Sequence, residues 1–64
     1  MERKYQIQYR CDYTGNVWED VRHADYPFCD VGLDRARADL QYRCQHLGEH
    51  AEFRIISVQV NVIE

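Results

Sequence analysis

From Lys4 to Tyr13 the chain alternates without interruption. Tyr5, Ile7, Tyr9, Cys11 and Tyr13 share one parity; Lys4, Gln6, Gln8, Arg10 and Asp12 share the other. A period of two sends successive side chains to opposite faces, which predicts a strand with one apolar and one wet face. Asp12-Tyr13-Thr14-Gly15-Asn16 then reads as a tight turn, with Asp and Gly where a type I turn closed by a left-handed glycine needs them. A second strand is predicted over about Val17 to His23. Residues 24–32 form an irregular connection bent at Pro27. Tyr26 should be extended there, because a residue before proline avoids helical angles. Phe28 is expected under the helix that follows.

That helix is predicted from about Leu33 to Leu47, where Leu33, Ala36, Leu40, Cys44 and Leu47 recur at spacings of three and four as one apolar stripe. Gly32 is expected at its cap, Val31 as a staple against Ala36, Asp34 in its first turn and Gly48 as its stop. A last strand runs from near Glu52 to about Val62. Phe53 and Ile55 have one parity; Ile56, Val58, Val60 and Val62 have the other. A bulge near Ile55-Ile56 would bring both sets to one face. The order strand, strand, helix, strand predicts an α+β fold. It consists of a three-stranded sheet, built from a β-hairpin and a long C-terminal strand, with one helix packed on one face. The strands are antiparallel, or mixed if the helix serves as a right-handed crossover.

The hairpin register bears on function. A three-residue loop puts Val17 and Val21 on the face of Tyr9 and Tyr13 and leaves Trp18 on the wet face. A two-residue loop reverses this, placing Trp18, Asp20 and Arg22 among apolar neighbours. The first buries valines and leaves only Glu19 to explain, so it is preferred; a bulge would still turn Trp18 inward.

Sixty-four residues, 45% of them hydrophobic with a single proline, describe one small globular domain spanning 1–64. Chains of this size bury only about 60% of their unfolded surface, so docking or self-association is expected to add to the core. No secretory leader is expected, and no run approaches the roughly 20 apolar residues of a membrane span. Three widely spaced cysteines, Cys11, Cys29 and Cys44, argue for free thiols in the cytoplasm. The net charge of −3 is unevenly spread. Residues 11–34 carry Asp12, Glu19, Asp20, Asp25, Asp30 and Asp34 against Arg22 alone, a segment that repels phosphates and attracts basic surfaces.

Most site chemistries lack their residues. The cysteines and His23, His46 and His50 have no short zinc-ligand spacing, so neither metal nor cofactor is expected and the thiols are read as buried. Cys29 stands beside Asp30, which opposes a reactive thiolate. Gly15, Gly32 and Gly48 are accounted for by turns and caps, not a phosphate loop. The chain is read as a non-enzyme. Binding of single-stranded nucleic acid to the wet face, through Lys4, Arg10, Gln6, Gln8 and Trp18, is the alternative. Two cations and one aromatic beside an acidic hairpin make it the weaker one.

Protein binding remains. Tryptophan and tyrosine dominate interface hot spots, so an outward Trp18, with Asp20, Asp12 and Tyr26, is expected to form an acidic-aromatic partner-binding patch. In the other reading Trp18 anchors the core and the acids keep the protein soluble. The edge of the last strand is a second expected interface, pairing a homodimer. Taken together, YQIQYR, TGNVWEDV, LDRARADLQYRCQHLG and FRIISVQV resemble, in pattern and size, the small strand-strand-helix-strand proteins of phages and prophages. That group includes anti-CRISPR and other anti-defence inhibitors. The resemblance implies a phage-encoded inhibitor of a larger host protein or nucleoprotein complex.

Overall fold

The computed structural model describes residues 2–60. The elements are β1 (Glu2–Arg10), a 3-10 turn (Asp12–Thr14), β2 (Glu19–Pro27), α1 (Asp30–Leu47) and β3 (Glu52–Val60). The sheet order is β2-β1-β3, antiparallel throughout, with α1 on one face. This is the expected α+β architecture. Val62, placed in the last strand by its parity, lies outside the described residues.

β1 is the central strand because its alternation provides one face for the helix. Ile7 is completely buried, and Tyr5 and Tyr9 flank it half-buried. The row stops there. β1 ends at Arg10, and Cys11 and Thr14 close the turn instead: the Thr14 hydroxyl accepts from the Cys11 N–H at 3.1 Å and donates to its carbonyl at 2.9 Å. Tyr13 is therefore fully exposed, not roofed by the helix. Gly15 takes the left-handed conformation the turn requires, at φ 66°. The loop is longer than three residues, since Tyr9 pairs with Glu19. Val17 consequently points into solvent, contrary to the register preferred from the sequence.

β2 extends further than its pattern suggests, through Tyr26 and Pro27, over residues expected to be irregular. What hides it is a wide bulge. Gln6 pairs with Asp25 and Gln8 with Asp20, so Val21 to Ala24 stand opposite Ile7 alone, with His23 at φ 59°. Gln6 secures the bulge. Although its parity is that of the wet face, it is buried, and its Nε2 lies 2.9, 3.0 and 3.4 Å from the carbonyls of Ile7, Val21 and Ala24. A buried side chain thus does what the missing ladder does elsewhere.

α1 starts three residues earlier than its apolar stripe. Cys29 is the N-cap, its Sγ accepting from the Gly32 N–H at 3.3 Å. Gly32 lies within the first turn against the Pro27 backbone, where a Cβ would come within 1.9 Å of the Pro27 carbonyl oxygen. Gly32 and Ala36 are both buried, and these small residues four apart let the helix sit close to the sheet. Val31 is exposed and makes no staple; Phe28, half exposed, stacks on Tyr5 with ring centroids 4.8 Å apart. Towards the C-terminus the stripe is uncovered. Cys44 is exposed, as is Cys29, so neither is the buried thiol expected, and Leu47 is 44% exposed.

β3 departs from expectation most consequentially. It pairs with β1 from Val60 opposite Glu2 to Glu52 opposite Arg10 with no register shift. There is no bulge at Ile55-Ile56. Phe53 and Ile55 share the helix-covered face with Tyr9 and Ile7, while Ile56 and Val58 stand beside Gln6 and Lys4 on the opposite face. The parity change in the sequence is real, and it lays an aliphatic row on the side no helix covers.

Candidate interaction surface

The uncovered face carries a linked set of side chains. Trp18 is the last residue before β2, and its indole lies against side chains of β1 and β3. The Arg10 guanidinium carbon lies 4.9 Å and that of Arg54 4.2 Å from the ring centroid. Each arginine also has a second partner. Arg10 donates to Glu52 at 2.8 Å through Nε and sits 2.7 Å from the same oxygen through a terminal nitrogen. Arg54 donates to the Gln8 side-chain oxygen at 3.0 and 2.7 Å, and Gln8 in turn donates to Asp20 at 2.9 Å. Asp20, Gln8, Arg54, Trp18, Arg10 and Glu52 form one chain of contacts across all three strands.

Individually these contacts are weak, about 0.5–1 kcal/mol for an exposed cation–π pair and about 0–1 kcal/mol for a surface ion pair. Their effect is to restrict rotamers. Ordering a long side chain at an interface costs about 0.5–1.5 kcal/mol, and a side chain already held loses less on binding. Beside this platform run Ile56, Val58 and Val60, half-buried on the same face. Acids slightly outnumber cations there. Lys4, Arg10 and Arg54 stand against Glu2, Asp20, Asp25 and Glu52, with Lys4 and Asp25 3.5 Å apart. Such a face has no positive excess to hold phosphates.

Of the residues singled out from the sequence, Trp18 and Asp20 are joined through Arg54 and Gln8. Asp12 is exposed at the start of the 3-10 turn. Tyr26 belongs to the other face. It pairs with Tyr5, its hydroxyl bonds the Asp39 carboxylate on α1, and Asp39 also accepts from Arg43 at 2.7 Å. The hydrogen bond to Asp39 raises the Tyr26 pKa above its ordinary value, with burial and the Asp39 charge adding to it and Arg43 and Arg35 opposing. No single acidic-aromatic patch therefore contains Trp18 and Tyr26, and the ring's immediate neighbours are cationic. Arg54 and Glu52 were not singled out from the sequence. The signal was their shared parity with Ile56, readable only if β3 has no bulge.

A concavity of about 620 Å³ lies between the C-terminal part of α1 and the sheet, lined by Tyr9, Val21, Phe53, Arg43, Leu47 and His50. Among the described residues no three His, Cys, Asp or Glu side chains converge as a metal site would need, and no helix is long and apolar enough to cross a membrane. In comparisons with known proteins no family model matches the chain, and neither does any curated protein or solved structure.

Proposed function

We propose that this chain is a non-enzymatic interaction module that binds a larger protein through the uncovered sheet face, with Trp18 as its anchor. The observation that carries this reading is an indole packed against two guanidinium groups beside an aliphatic row, on a face with no excess of cations. Partly exposed, pre-positioned tryptophan and arginine are the residue types that dominate hot spots. The partner offers an apolar hollow for the indole and the row, and Asp20 and Asp12 at that end favour a basic rim. Acting in the cytoplasm as a phage-encoded inhibitor of a host defence or nucleic-acid-handling complex is the biological role that the sequence resemblance supports.

Capture from host lysate by wild-type protein and by Trp18→Ala tests it. The retained protein should be lost with the variant, by about 30-fold or more for a hot spot worth about 2 kcal/mol. Circular dichroism should be unchanged, and capture should weaken as salt rises. If Trp18→Ala loses capture only because it unfolds, the reading fails. Tight binding of single-stranded oligonucleotides that disappears on changing Lys4 and Arg10 would favour the nucleic-acid alternative instead.

A further inference from the structure

The two edges of the sheet differ in kind. The β2 edge is interrupted by the Val21–Ala24 bulge, with His23 in the left-handed region, and ends at Pro27, which has no N–H. Bulges and prolines are the devices that stop a sheet edge from pairing with another strand. The β3 edge has neither. Its nine residues are in unbroken register with β1 and contain no proline or glycine. Its only charged residues, Glu52 and Arg54, lie at one end and are engaged by Arg10 and Gln8.

We propose that two copies of this chain pair antiparallel through the β3 edge, joining two three-stranded sheets into one of six strands. Charge selects a second copy as the occupant. From Ile55 to Val60 the strand is uncharged, so self-pairing about a two-fold axis near Ser57 opposes no like charges. The two Arg54 residues stand about 20 Å apart at opposite ends of the pairing. On the uncovered face Ile56 of each copy meets Val58 of the other, and the two short aliphatic rows become one. Ser57, exposed on the helix side, meets its own twin. A chain of 64 residues gains in this way buried area that its own core lacks.

The joined face carries a Trp18 platform towards each end. If those platforms bind as proposed above, which is the one point that rests on that reading, the dimer engages its target bivalently.

Sedimentation equilibrium decides the matter. Wild-type protein should show twice the 7.7 kDa mass of the chain. Isotope-filtered NOEs should connect Ile56 of one copy to Val58 of the other. Val58→Lys, on the uncovered face, and Ser57→Lys, which opposes two like charges across the axis, should each sediment as folded monomers. Trp18→Ala should remain dimeric while losing partner capture, so failure of the dimer and failure of the binding face are separate results. The proposal is overturned by a monomeric wild type at millimolar concentration. Folded lysine variants that stay dimeric, or intermolecular NOEs mapping to the β2 edge or the hairpin, overturn it equally. Should a lysine variant not fold, the wild-type mass and NOEs decide alone.

Discussion

The two faces of this small sheet are built on different physics. Under α1, Ile7 and Ala36 are sealed from water, with Tyr5, Tyr9, Phe53 and Ile55 around them, and cohesion there comes from apolar burial. On the other face no element covers the strands. An indole against two guanidinium groups, a glutamine relay and paired charges hold that surface in place. One face supplies stability and the other supplies shape. Substitutions should therefore separate the two, with the largest thermodynamic effect on the covered side and Gln6, buried at the β2 bulge, as the exception on the other.

Ile7→Ala is the strongest way to break the covered face. Deleting a fully buried aliphatic side chain costs about 2–5 kcal/mol, a large share of what a domain of this size possesses. Urea denaturation should show a midpoint reduced accordingly or no cooperative transition at all. Gln6→Leu comes next. It removes the donor near three carbonyls inside the bulge and should cost about 1–3 kcal/mol, with faster exchange of the amides from Val21 to Ala24.

Tyr26→Phe should cost less, about 1 kcal/mol, because the bond to Asp39 is only partly shielded. Its pH signature is specific. The folded-state pKa is raised, so the stabilisation is fully present below the ordinary tyrosine value of 10.0 and is lost as pH rises through the folded value. Wild type should lose stability on that alkaline limb more steeply than Tyr26→Phe. A parallel pair of curves would separate Tyr26 from the Asp39 link. Trp18→Ala closes the series, with a stability change under about 1 kcal/mol set against its large effect on partner capture. A comparable loss of stability would make Trp18 part of the core and erase the contrast between faces.

Much of this was legible in the chain. The alternation from Lys4 to Arg10 identified the central strand and its two faces, and the three-and-four spacing identified the helix. Trp18 was placed on the wet face, although the loop length used to argue it was too short. Several features escaped for separate reasons. The Val21–Ala24 bulge carries no glycine or proline; a left-handed His23 and a glutamine from another strand sustain it. Cys29 is an uncommon N-cap, so the helix start was read too late. The linked set of Arg10, Arg54, Gln8 and Glu52 joins residues up to 46 positions apart, which no local pattern connects.

Periodicity along one strand or helix reports which side chains share a face, because backbone geometry alone dictates it. That is what the sequence determined here: three strands, one helix, and the sidedness of β1 and α1. Which face of β3 meets the helix is a different matter, since Ile55 and Ile56 are equally apolar and only pairing with β1 chooses between them. The fold set Ile55 on the helix-covered face with Ile7 and left Ile56 and Val58 on the opposite one. An uncovered aliphatic row beside Trp18, and with it the surface proposed for binding, is a product of tertiary register.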